Sequence, residues 1–131
     1  MRKTVILSAF LVLTGSAMAA EEGAMLTGNK LKEAVSGKTV YLMTPIGAEI
    51  PIRYQPSGTM TGAISPSLAA LGGESVSKDT GRWWVVREQL GQQWKNWSGS
   101  RSHCYKLRTS GGSVTWRRND GQSGTARIAS N

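Results

Sequence analysis

The chain has 131 residues, with 16 Lys and Arg against 8 Asp and Glu, a net charge of +8 at pH 7. That length supports one domain with one modest core, and a single cysteine, Cys104, excludes an intrachain disulfide. One histidine, no GxSxG and no Gly-rich phosphate loop leave little for nucleophilic or nucleotide chemistry.

The first segment, residues 1–19, has the three parts of a secretory signal peptide. Arg2 and Lys3 supply the positive start, Val5 to Leu13 is almost wholly apolar, and Ala17-Met18-Ala19 offers small residues for cleavage after Ala19. A membrane-spanning helix needs about 20 apolar residues, and this run is about half that. A lipid anchor would need a cysteine where Ala20 stands. The expected destination is the periplasm or the medium of a bacterium, and the expected mature chain is not membrane-spanning. Without Arg2 and Lys3 the net charge is +6, carried by residues 78–131, where ten basic residues face Asp79, Glu88 and Asp120. All five tryptophans lie there too.

Residues 20–25 read as a loose extension. Thr27 offers a helix N-cap, Leu31, Ala34 and Val35 share a face at helical spacing, and Gly37 is a stop, so a short helix is predicted over 28–36. Being short, it must dock on something. Strands are predicted over 38–43, 49–54 and 59–64, with Pro51 marking an edge or bulge in the second. Residues 65–80, rich in Ser, Gly and Ala, read as a long loop with one helical turn at 67–71. Five further strands are predicted over 82–87, 89–94, 103–108, 113–118 and 125–129, divided by turn-forming residues such as Asn119-Asp120-Gly121. The expected fold is mainly β: a short N-terminal helix packed on an antiparallel meander of about eight strands. Eight strands also suffice to close a small lipocalin-like barrel, and the sequence leaves that option open.

Alternation assigns faces. His103, Tyr105 and Leu107 fall on one side and Cys104, Lys106 and Arg108 on the other; Leu90, Gln92 and Trp94 share a face, as do Val114 and Trp116. His103-Cys104 looks like half a metal site, but adjacent strand residues point apart and no second His or Cys completes a tetrahedral set. No metal or cofactor is expected. An enzyme would have to centre on His103, as a hydrolase. Cys104 reads as a buried, inert thiol or as one free to react with another molecule.

Arg82-Trp83-Trp84, Trp94-Lys95-Asn96-Trp97 and Trp116-Arg117-Arg118 interleave aromatic rings with cations. Trp83, Trp84, Trp97, Arg101, Arg117 and Arg118 are therefore candidate ligand-binding residues, the rings stacking while the cations hold phosphate or carboxylate. Trp97, beside Asn96 and Ser98, is the first choice for an exposed contact. An anionic envelope component or protein is the expected partner, and the compartment argues against nucleic acid. The plainer alternative is that the tryptophans are core and the charges an ordinary solvated face.

The runs "LTGNKLKEAVSGKTV" from Leu26, "YQPSGTM", "GRWWV", "QQW", "HCYKL" and "WRRNDGQSGTARI" resemble a family of small secreted proteobacterial proteins, domain of unknown function 995. The resemblance runs from Leu26 to Ile128. It implies an exported single domain, residues 26–131, and no established activity. It also implies that relatives carry a second cysteine where this chain has Gly91, on the same side of a neighbouring strand as Cys104. On that footing this chain lacks a staple worth about 2–4 kcal/mol.

The expected function is non-catalytic binding in the cell envelope, in one of two modes. Either the basic, Trp-bearing face docks on an anionic polymer or protein, for instance as an inhibitor, or a barrel interior lined by Tyr41, Tyr54, Trp84 and Tyr105 carries a small apolar ligand.

Overall fold

The computed structural model describes residues 23–130. The signal-peptide reading, and residues 20–22 of the expected extension, lie outside the described residues. In chain order the elements are α1 (Gly28–Val35), β1 (Lys38–Met43), β2 (Glu49–Tyr54), β3 (Thr59–Ala63), α2 (Pro66–Leu71), β4 (Lys78–Val86), β5 (Gln89–Trp94), a 3₁₀ turn (Trp97–Ser100), β6 (Ser102–Ser110), β7 (Ser113–Arg118) and β8 (Ser123–Ser130).

Each strand pairs antiparallel with the next, and β8 pairs back onto β1 with Val40 opposite Ile128, closing an eight-stranded barrel. Closure resolves what the sequence left open and removes every free sheet edge. Pro51 is therefore not at an edge. It faces Tyr41 of β1 but lies one residue beyond Ile52, where the ladder to β3 begins, so its missing N–H costs little there.

Most boundaries fall within two residues of expectation, and two regions differ by more. β4 begins at Lys78, because Lys78, Asp79, Thr80 and Gly81 continue the ladder opposite Met60–Ala63 despite a loop-like composition. Residues 23–25 are not loose. Gly23 N–H donates to Thr109 O (2.8 Å), Thr109 N–H to Ala24 O (2.9 Å) and Leu26 N–H to Leu107 O (2.9 Å), so this segment pairs with the far half of β6.

Period-two alternation sends Val40, Ile52, Tyr54, Met60, Trp83 and Leu90 inward, joined by Trp94, Leu107, Val114 and Ala126 in one core. At one end of the barrel α1 acts as a plug. Its fully buried Leu31 and Val35 join the core, and Gly37 N–H donates to Tyr54 O (2.7 Å) to seal the corner. Thr27 precedes the helix without a side-chain cap. The β1–β2, β3–β4, β5–β6 and β7–β8 connections gather at the opposite end and leave a mouth. Among the described residues no helix is long and apolar enough to cross a membrane.

Candidate binding site

The mouth opens into a cup of about 460 Å³. β1 and β2 supply Leu42, Ile50 and Ile52 to its wall, and α2 supplies Leu68 and Leu71. Aromatic walls come from Trp94, Trp97, Tyr105 and Trp116. A smaller chamber of about 40 Å³ lies deeper, sharing Leu42, Ile52, Gln92, Tyr105 and Trp116 with the cup and floored by Val40, Leu107 and Val114. Eight strands make an interior that side chains nearly fill, with room for one small ligand.

The rim is built locally. Thr44 Oγ1 donates to Ala48 O (2.7 Å) and accepts from Ala48 N–H (3.0 Å), tightening the turn that carries Pro45 and Ile46. Ser65 caps α2 by accepting from Leu68 N–H (3.1 Å), and Pro66 occupies its first turn. Ile46 and Leu71 stand 67% and 77% exposed on this rim, two large apolar side chains left in water beside an apolar cavity.

Two glycines make the aromatic walls possible. A Cβ on Gly62 would stand 2.6 Å from the Trp97 ring, and one on Gly124 would stand 2.8 Å from the Trp116 ring. Trp97 is further held by its Nε1–H on Val76 O (2.9 Å) and by Trp94, ring centroids 4.7 Å apart. The buried Asp79 carboxylate accepts from Trp97 N–H (2.7 Å), Asn96 N–H (2.8 Å) and the Asn96 amide (3.1 Å), fixing the start of the 3₁₀ turn. Burial pushes the Asp79 carboxyl up, but these donors, with Thr80 N–H, hold it below the usual aspartate value. Ser98, Gly99 and Ser100 then run through left-handed backbone at φ 58°, 63° and 62°, with Glu74 accepting from Ser98 N–H (3.1 Å).

Polar groups form one chain through the wall. Tyr54 O–H donates to Gln92 Oε1 (2.8 Å), and Gln92 Nε2 donates to the Tyr105 oxygen (3.3 Å). Arg118 lies beside the same hydroxyl and grips Asp120 through Nε (2.9 Å) and Nη2 (2.6 Å). The Arg118 guanidinium holds the Asp120 carboxyl down at about 2. Burial pushes both Tyr54 and Tyr105 above the ordinary tyrosine value. Among the described residues two buried side-chain polar atoms have no partner: Trp116 Nε1 and His103 Nδ1.

The six residues singled out from the sequence do not form one surface. Trp83 is buried at the closed end, its Nε1–H on Gln55 O (2.8 Å) and its ring edge-on to Tyr54. Trp84 points outward over Gly91. Trp97, expected exposed, is buried in the mouth wall, because Gly62 leaves a slot for its ring. Arg101 and Arg117 are exposed on the outside, whereas Arg118, at the inward end of β7, reaches the mouth. Of the four residues expected to line an interior, Tyr54 and Tyr105 do. Tyr41 and Trp84 face outward, and Arg127 sits over the Tyr41 ring at 3.9 Å. Their inward places are taken by neighbours of opposite parity, Val40 and Leu42 in β1, Trp83 and Val85 in β4.

His103 pairs with Gln92 across β5 and β6, while the half-buried Cys104 is on the outer wall. Among the described residues no three of His, Cys, Asp and Glu converge where a metal could bind. Gln92, Ile50, Ile64 and Leu68 were not singled out from the sequence. For Gln92 the signal was there: an amide on the apolar face between Leu90 and Trp94. Comparison with family models, curated proteins and solved structures found no match.

Proposed function

We propose that this protein is an exported, non-catalytic carrier that holds a small apolar ligand in the mouth of its barrel. The observation that carries the reading is the cup of about 460 Å³, walled by aliphatic and aromatic side chains and open opposite the helical plug. That size and lining are those of small-molecule sites. Exposed Ile46 and Leu71 stand where such a ligand first makes contact. Export rests on the pattern of residues 1–19.

The test is titration with N-phenyl-1-naphthylamine, a dye that brightens in apolar sites. Wild type should bind about one dye per chain, and Leu68→Arg, which places a charge in the cup without touching the barrel, should lose at least ten-fold in affinity. Equal binding by both proteins, or none by wild type, refutes the cup as the site.

A second reading is favoured by one observation. Lys106 and Arg117 stand directly opposite each other on the outer wall, with Arg108 on the same face. Like charges so placed repel unless an anion screens them. An anionic envelope polymer bound there would be released by salt, whereas the dye in the cup would not.

A further inference from the structure

Among the described residues four large apolar side chains stand exposed: Met43, Ile46, Leu71 and Val86. Three of them gather at the mouth end. Met43 is the last residue of β1, Ile46 lies in the β1–β2 turn and Leu71 ends α2. Ile46 and Leu71 also border the cup, so its apolar lining continues outward onto the rim. Exposed apolar surface gathered in one place marks an interaction site. The free charges around it have one sign. The acids at this end are engaged: Glu49 with Arg127, Asp120 with Arg118, Glu74 with Ser98 N–H, and buried Asp79 with the Asn96 and Trp97 amides. Lys78, Lys95 and Arg101 stand exposed at the same end, and among the described residues none of the three is in an ion pair. They come from the start of β4 and the two ends of the β5–β6 connection, so they flank that side of the mouth.

We propose that the mouth end docks on an anionic lipid surface, with Ile46 and Leu71 inserted at the boundary of head groups and acyl chains and Lys78, Lys95 and Arg101 against the head groups. Binding of this kind grows with the apolar area inserted and with attraction to anionic lipid. A lipid leaflet meets both features of the rim at once. A turn tip and a helix end standing round an opening are separate points that sink into a fluid surface, whereas a protein partner packs against a continuous face. Docked so, the cup opens toward the apolar layer, and a poorly soluble occupant passes between the two without crossing water. That exchange rests on the carrier reading. The docking itself does not, because it uses only the outside of the rim.

The experiment is co-sedimentation of the protein, purified after export, with vesicles of phosphatidylcholine alone and of equal parts phosphatidylcholine and phosphatidylglycerol. Wild type should bind the anionic vesicles about ten-fold tighter or more. Ile46→Gln combined with Leu71→Gln leaves the net charge unchanged and should lose about ten-fold on those vesicles. Lys78→Gln combined with Lys95→Gln should lose about five-fold for each lysine removed. Lys30→Gln combined with Lys32→Gln makes the same change in net charge at the plug end and should lose no more than about two-fold. All six side chains are exposed, and thermal melts check that the variants fold as wild type does. Apolar variants that bind like wild type, or equal losses from the mouth and plug lysine pairs, overturn the docking and leave only the general attraction of a basic protein. Binding to neither vesicle also overturns it and assigns the rim to a protein partner. Dye titration of the cup without vesicles is read separately. Dye binding kept while docking fails leaves the carrier reading standing, and docking kept while dye binding fails supports the lipid surface and removes the cargo.

Discussion

The indole of Trp84 covers the bare Cα of Gly91 on the outer wall of the barrel: a Cβ at position 91 would collide with the Trp84 ring at Nε1. The two face each other across β4 and β5, and Gly91 in turn faces Cys104 across β5 and β6. Cys104 N–H is taken by the Asn119 side chain and its carbonyl by Asn119 N–H. Its backbone therefore turns toward β7, and Gly91 with Cys104 is a non-hydrogen-bonded pair, the closer of the two kinds. Gly91 and Cys104 thus stand side by side on neighbouring strands, but Trp84 fills the space a disulfide there would need.

Gly91→Ala should therefore destabilise the barrel by about 1–3 kcal/mol, as overpacking does. The loss should vanish in a Trp84→Ala background, because the clash needs both groups. In that background Gly91→Cys should oxidise to a 91–104 disulfide. Urea unfolding of the four Gly/Ala and Trp/Ala combinations, and thiol counting on the cysteine variant, check both parts. Additive losses would show that position 91 is constrained by something other than the indole.

The elements were largely legible because each strand carries its own alternation and each turn its own residues, as in Asn119-Asp120-Gly121, where Gly121 takes φ 95°. Closure was not, because it depends on Val40 meeting Ile128 from the far end of the chain. The start of β4 was hidden by Lys78, Asp79 and Thr80, whose polar side chains read as loop until the Asp79 carboxylate finds the Asn96 and Trp97 amides. In the site, adjacent Trp83 and Trp84 must face opposite ways, but nothing local says which goes in. Trp97 read as exposed for the same reason. Its burial is decided by Gly62, Val76 and Asp79, all far from it in sequence.

Asp79 makes the mouth wall sensitive to acid. Its folded carboxyl titrates below the usual value of about 3.8. Its stabilising contribution is therefore complete above that value and fades as pH falls through the lower folded one. Asp79→Asn should cost about 1–3 kcal/mol at pH 7, since an amide replaces a charged acceptor shared by several N–H donors. The difference in urea midpoint between wild type and variant should hold constant from pH 7 to 5 and narrow below pH 4. A difference that persists unchanged at the lowest pH would mean the residue acts through shape and not through charge.

The Ser98-Gly99-Ser100 turn stores backbone strain next to the cup. Ser98 holds φ 58° and ψ 29°, a conformation that β-branched residues rarely adopt. Ser98→Val should lower stability by about 1–2 kcal/mol, the cost of a left-handed L-residue without a local hydrogen-bonding side chain. Ser98→Gly should be neutral or better. Because this turn follows Trp97, the valine variant should also weaken dye binding in the cup more than the glycine variant does. Thermal melts and dye titrations on both variants test this, and a valine variant as stable as wild type would remove the strain from the account.

The buried tyrosines give the barrel an alkaline limit. Burial, and the nearness of Tyr105, raise the Tyr54 hydroxyl above its ordinary value of 10.0, and burial raises Tyr105 as well. An acid whose folded value is raised leaves stability untouched below the unfolded value and erodes it above, because the unfolded chain then releases protons that the folded one keeps. Stability should be flat up to about pH 10 and fall beyond it. In absorbance at 295 nm, Tyr54 and Tyr105 should ionise together with unfolding, as a slow cooperative step. Tyr54→Phe should reduce that step by one tyrosine and, by stranding Gln92 Oε1, destabilise the protein by about 1–3 kcal/mol at neutral pH. If Tyr54 and Tyr105 titrate rapidly near pH 10 in the folded protein, the Tyr54, Gln92 and Tyr105 chain is open to solvent.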